Sequence, residues 1–202
     1  MNMIKKIFFR IYIKVLSTKN IITNFYLPNI FNLKNVFYNG IPSCQQKVIF
    51  SGKGKVIIGS KCSFGYKLGG RFKYGVIEIQ ARTPNAKIDL GNHISTNNNL
   101  FICSSNNVII GNETLIGENV TIMDFEAHGI EPNKRRSVGE IGEVKIGKNV
   151  WVGNNVTILK NSEIGDNSIV AAGSIVNKKF PPNVVIGGIP AKIIKSLADY
   201  NE

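Results

Sequence analysis

Residues 123–145 hold the side chains of this chain best suited to moving a proton. His128 is one of only two histidines among 202 residues. Asp124 and Glu126 stand just before it, and Arg135 and Arg136 follow. An imidazole close to a carboxylate is the raw material of a general base whose cation the carboxylate steadies. The other histidine, His93, falls at the corner of a repeat and reads as structural or solvent-facing. Two histidines are too few for a three-histidine metal centre, and no metal site is expected. The three cysteines, Cys44, Cys62 and Cys103, are scattered and odd in number. They imply no disulfide framework and make a reducing cytoplasm the default compartment.

The elements that must position these groups are declared by a repeat. From Ile146 the chain reads Ile-Gly-Lys-Asn-Val-Trp, Val-Gly-Asn-Asn-Val-Thr, Ile-Leu-Lys-Asn-Ser-Glu, Ile-Gly-Asp-Asn-Ser-Ile and Val-Ala-Ala-Gly-Ser-Ile, up to Val176. Each block of six opens on Ile or Val and places Val or Ser fifth. A helix repeats every ~3.6 residues and an amphipathic strand about every 2, so a sustained period of six fits neither. It fits a coil of short strands joined by tight corners, with the aliphatic residue inward and Gly or Asn supplying positive φ at the turns. Looser hexads begin near Val48, recur at Ile58, Ile88, Ile94, Leu100, Ile110 and Ile116, and stop at Ile122. Asn106 and Asn107 shift the register between them. The break from 123 to 145 reads as an extruded loop, the usual place for a solenoid's binding face. Cys62 occupies a small-residue place of a hexad and reads as buried.

Residues 1–17 read as an amphipathic helix, with Ile4, Ile7, Phe8, Ile11 and Val15 on one face and Lys5, Lys6, Arg10 and Lys14 on the others. Arg10 and Lys14 interrupt the apolar run, which is too short to span a bilayer and lacks the pattern of a secretory signal. Two readings stand: a helix lying peripherally on the anionic inner face of a membrane, or one packed on its own domain or a neighbouring subunit. Residues 18–47 read as a lead-in of loops and extended chain. The boundaries expected are therefore 1–47 for helix and lead-in and 48–202 for the coil, closed by a short helix within 191–202. The net charge of +12 points to an anionic ligand or lipid headgroups. No nucleic-acid motif accompanies it.

The segments Val150-Trp-Val-Gly-Asn-Asn-Val-Thr-Ile-Leu, Ile164-Gly-Asp-Asn-Ser-Ile-Val-Ala-Ala-Gly-Ser-Ile-Val and Gly187-Gly-Ile-Pro-Ala-Lys-Ile-Ile-Lys resemble the hexapeptide-repeat acyltransferases. The likeness is to the branch of maltose, galactoside, Nod-factor and polysaccharide O-acetyltransferases. It implies an all-β solenoid, a left-handed parallel β-helix, here with a short N-terminal amphipathic helix and a protruding catalytic loop. The hand comes from the resemblance alone. It also implies a homotrimer with acetyl-CoA sites between subunits and a saccharide acceptor.

By the same resemblance His128 matches the catalytic base, Asp124 its orienting carboxylate, and the N–H of Asn154 the oxyanion donor. Asn97 and Asn99 resemble the asparagines that help place the acceptor, with Glu126 and Arg135 of the loop beside them; corner asparagines are the competing reading. Trp151, Gly153 and Ala172 match positions along the pantetheine arm. Asn177, Lys178, Lys192 and Lys195 match positions near the cofactor phosphates, where lysine is a suitable point charge. Residues 1–47 do not resemble the helical region of the galactoside and maltose enzymes. The basic start is more like enzymes of surface polysaccharides, whose acceptors are lipid-linked. The expected function is acetyl-CoA-dependent O-acetylation of a glycan precursor; the alternatives are N-acetylation of an amino sugar or antibiotic, and a non-catalytic β-helix scaffold.

Overall fold

The inward aliphatic position of each hexad is buried: Ile146, Val152, Ile158, Ile164, Val170 and Val176 all sit in the core. Strand partners lie eighteen residues apart, Ile146 opposite Ile164, Trp151 opposite Ile169 and Ile158 opposite Val176. Three hexads thus make one coil, and each contributes one short strand to one of three sheets of seven, eight and six strands. Among the described residues, the strands of these sheets pair in parallel except for the final one. Among the residues that the computed structural model describes, 3–197, the side chains at 3–6, 8–10 and 13–14 fall outside the description.

The corners explain the abundance of asparagine. Asn119, Asn149, Asn155, Asn161, Asn167 and Asn183 adopt φ between 53° and 62°. Asparagine tolerates this left-handed region better than most residues with a Cβ. Stacked corners then bond to one another: Asn149 Nδ2 donates to Asn167 Oδ1 at 3.0 Å, and Asn167 Nδ2 to Asn183 Oδ1 at 3.1 Å. Where two coils press together, glycine is required. A Cβ on Gly153 would stand 2.7 Å from the amide nitrogen of Ala172.

The coil begins earlier than residue 48. Val36–Tyr38 pairs with Lys55–Ile58, and Ser43–Cys44 pairs with Ser63–Phe64, so the presumed lead-in already builds two sides of the first coil. Before it, helix α1 (Met3–Ile21) runs into a π-helical turn over Ile22–Tyr26 and a 3₁₀ turn over Leu27–Asn29. This segment caps the open end. Asn29 is fully buried; its Nδ2 donates to the carbonyls of Phe25 and Val48, and its Oδ1 accepts from the N–H of Phe50. The amide side chain stands in for the missing neighbouring strand at an edge that would otherwise be left unpaired. Phe25 packs edge-on against Tyr26, Tyr38 and Phe50 above it.

The far end is also a correction. No helix closes residues 191–197; Ala191–Ser196 turns back and pairs antiparallel with Val184–Gly188, covering the last edge. Residues 198–202, the rest of the expected helix, lie outside the described residues.

Five insertions break the spacing: two lengthen the corners between Phe50 and Ile58 and between Ile79 and Leu90, and three others stand out. Gly65–Gly75 leaves the second coil and is tied back by Asn98 Nδ2 to the carbonyls of Tyr66 and Gly70, and by Gln46 Nε2 to that of Arg71. Two extra residues bulge at Ser105 and Asn106. The third is the break foreseen at 123–145: Ile110 lies opposite Ile146, so one whole coil's length is extruded between them.

Candidate active site

The extruded loop folds on itself. Phe125 bridges to Ile141 antiparallel, the N–H of Glu126 donates to the carbonyl of Glu140 at 2.9 Å, and the N–H of Gly129 donates to the carbonyl of Ser137 at 2.9 Å. A 3₁₀ turn over Pro132–Lys134 reverses the chain at the tip. The base is clamped from the coil. Lys160 Nζ reaches Glu140 at 2.6 Å and Glu126 at 3.3 Å, and Asn161 Nδ2 donates to Glu140 at 3.0 Å. The hydrogen bond from Lys160 holds the Glu140 carboxyl below its ordinary value, and the same bond raises that of the ammonium.

His128 is exposed on this loop. Its Nδ1 lies 2.7 Å from the carbonyl oxygen of Arg135. A carbonyl can only accept, so Nδ1 carries the proton, and the neutral ring keeps its lone pair on Nε2. Arg135 in turn donates from Nη1 to the carbonyl of Gly129 at 2.9 Å, which closes the loop around the ring.

Asp124 does not orient the imidazole. It is fully buried, and its carboxylate accepts from the Ser104 hydroxyl at 2.5 Å and from the N–H groups of Ser105 and Asn106 at 2.7 and 3.0 Å. It staples the bulged corner instead, and the orienting group is the Arg135 carbonyl. Glu126 is engaged with Lys160, and the Arg135 guanidinium with Gly129, so within this chain both expected acceptor contacts are occupied in holding the loop.

A second feature lies along the coil. Trp151, Gly153, Asn154, Ile169, Val170, Ala171 and Ala172 line a groove of about 250 Å³. Trp151 is half-exposed, between Leu115 and Ile169 on adjacent strands. Asn154 accepts through Oδ1 from the N–H of Glu118 at 2.8 Å, which fixes the corner at the groove's rim. The floor is glycine and alanine, so a narrow chain-like molecule can lie flat against backbone there. No ionisable side chain lines it, and His128 is not among its walls.

Lys192 and Lys195 lie on the closing strand, opposite Gly187 and Val185. Asn177 and Lys178 are exposed just before the seventh coil, with the Lys178 ammonium 5.4 Å from the Phe180 ring centroid. Asn97 and Asn99 belong to the corner network: Asn97 Oδ1 accepts from the N–H of Asn98, and Asn99 Nδ2 donates to Asn119 Oδ1 at 2.7 Å. His93 is an exposed corner residue with φ 58°. All three cysteines are buried and free. Burial pushes the Cys44 thiol up to about 12 and that of Cys103 to about 11, and raises Cys62 as well, which keeps them protonated near neutrality.

Residues 143–178 match the family described as "Bacterial transferase hexapeptide (six repeats)". The chain is 40% identical over 119 residues to galactoside O-acetyltransferase of Escherichia coli (strain K12), a stretch covering 58% of either chain. It is 38% identical over 120 residues to WbbJ of the same organism, a protein named for O-acetyl transfer in lipopolysaccharide biosynthesis, covering 54% of this chain and 60% of that one. Among solved structures it matches a galactoside acetyltransferase in complex with coenzyme A at a TM-score of 0.53 and 28% identity, covering 82% of this chain and 66% of that chain. The chain thus spans less than two thirds of the length of these relatives. Fold, repeat and likeness together define a left-handed parallel β-helix. The chain resembles the hexapeptide-repeat acyltransferases in its repeat over residues 143–178 and in its likeness to these relatives.

Proposed function

We propose that the protein transfers an acetyl group from acetyl-CoA to a hydroxyl of a saccharide, with His128 as general base. The observation that carries this reading is the Nδ1 hydrogen bond to Arg135, which leaves Nε2 as the basic atom of an exposed ring. A hydroxyl is a weak nucleophile at neutral pH. Nε2 takes its proton as the oxygen bonds to the thioester carbonyl carbon; the carbon–sulfur bond breaks, the ester is released, and the proton passes to the departing thiolate. The groove fits the donor's narrow arm: Trp151 walls it, Gly153 and Ala172 leave room, and the N–H of Asn154 is assigned to the developing oxyanion. Asn177, Lys178, Lys192 and Lys195 are assigned to the donor's phosphates, and Asn97 and Asn99 to the acceptor.

The site is completed between copies. The groove offers no proton acceptor of its own, so a homotrimer in which His128 of one subunit faces the groove of the next supplies the missing base. The likeness to WbbJ supports a surface-glycan precursor as acceptor, and the three reduced thiols support a cytoplasmic setting.

The test is thiol release from acetyl-CoA in the presence of candidate saccharides, with mass analysis of the product. His128→Ala should lower turnover about 10²–10⁴-fold with the oligomer intact. Wild-type turnover in that variant overturns the assignment of the base. A product that survives mild base is an amide and moves the reading to amine acylation.

A further inference from the structure

The charge of this chain is confined to its beginning. Thirteen lysines and arginines and no acidic residue precede Glu78, whereas the remaining chain carries twelve basic residues against thirteen acidic ones. That first stretch is helix α1, the cap, the first coil and most of the second, so the excess charge gathers at one pole of the solenoid.

The same pole carries apolar surface that no other described residue covers. Ile7, Ile11, Val15 and Ile22 recur at spacings of four and seven residues and form one stripe. Ile11 and Val15 are 54% and 62% exposed, and with Lys19 and Ile22 they line a shallow apolar trough of about 520 Å³. The opposite face of the helix is the one that meets the coil: Leu16, Asn20 and Ile21 look across a cleft to Cys44 and Phe72. Packing on its own domain therefore does not account for the stripe. Phe31 at the cap and Leu68 and Tyr74 in the second-coil loop are exposed as well, the last two next in sequence to Lys67 and Lys73.

We infer that this pole docks on an anionic lipid surface, with the α1 stripe in the apolar boundary and the lysines against headgroup phosphates. Charge decides between this and a second copy of the chain. Packing two such poles together would juxtapose two surfaces with a large excess of cations over acids, whereas a phosphate-bearing surface neutralises them. No helix among the described residues is long and apolar enough to cross a membrane, so the contact is one of lying on the surface. The inference is independent of acetyl transfer.

Flotation of the full chain with vesicles tests it. Binding is expected to phosphatidylcholine vesicles containing phosphatidylglycerol, weakly or not at all to phosphatidylcholine alone, and to fall at least about tenfold on raising the salt from physiological to near molar. Ile11→Asp with Val15→Asp should abolish it while circular dichroism and solution mass stay unchanged. Lys67→Glu with Lys73→Glu, in the second-coil loop rather than on the helix, should weaken it severalfold. Failure of the unaltered chain to bind anionic vesicles overturns the inference, as does equal binding to both vesicle types. A doubly substituted helix that still floats but loses solution mass assigns the stripe to a contact between copies.

Discussion

The carbonyl oxygen of Arg135 lies 2.7 Å from Nδ1 of His128, seven residues earlier on the opposite arm of the loop. The backbone of one arm thereby sets the tautomer of a ring on the other. The guanidinium of the same residue, bonded to Gly129, keeps that carbonyl in place. Arg135→Ala should cut kcat about tenfold, the worth of roughly one hydrogen bond, with little change in KM for the donor. Steady-state kinetics on the purified variant check this; an effect confined to KM would place the side chain on a substrate instead.

Lys160 is the second control on the loop. Its ammonium is shared by Glu126 and Glu140. The Glu140 carboxyl is held below its ordinary value, so the anchoring is present above the unfolded carboxylate range, near 4.5, and is lost as pH falls through the lower folded value. The lysine is raised above 10.5, so the anchoring is intact below that pH and lost as pH rises past the folded value. Amide exchange of loop residues 125–141 should therefore speed up at both extremes before the coil melts. Lys160→Met should show the faster exchange at neutral pH.

Asp124 should behave as a structural residue. Asp124→Ala removes one buried acceptor serving a hydroxyl and two backbone N–H groups, at a cost of about 2–4 kcal/mol. Thermal unfolding should register the loss, whereas turnover per folded molecule stays within about threefold of the unaltered protein. A collapse in turnover of the folded protein would return the carboxylate to the chemistry.

Ala172 tests the groove. It is exposed on the floor beside Gly153, so Ala172→Trp should fold normally and fill the space. Affinity for acetyl-CoA, measured calorimetrically, should fall at least about tenfold. Unchanged affinity would move the donor elsewhere.

The repeat between Ile146 and Val176 announced its own structure, because one inward aliphatic per six residues admits few alternatives. The grouping of Trp151, Gly153, Asn154 and Ala172 follows from that spacing, since Trp151 and Asn154 lie about one coil from Ile169 and Ala172. The first coil was hidden for the same reason. Val36–Tyr38 and Ser43–Cys44 carry no Ile-Gly opening, and only their pairing with the second coil makes them strands. The work of Asn29, Asn98 and Lys160 was illegible, because each bonds to chain about twenty or thirty residues away. Asp124 was assigned from the resemblance and its place before His128; its own contacts lie at a corner nearly twenty residues upstream.

Stacking by coils also makes the molecule a ruler. The groove strand Trp151–Val152 is the fifth in its sheet, counted from Ser43–Cys44 at the basic pole. Four strand spacings of about 4.8 Å separate them, so the groove lies about 19 Å along the coil from the first strand of its sheet. Adding or deleting one eighteen-residue coil between pole and groove would change that distance by a single spacing and leave both ends as they are. Reach is thus adjustable in whole steps, independently of chemistry.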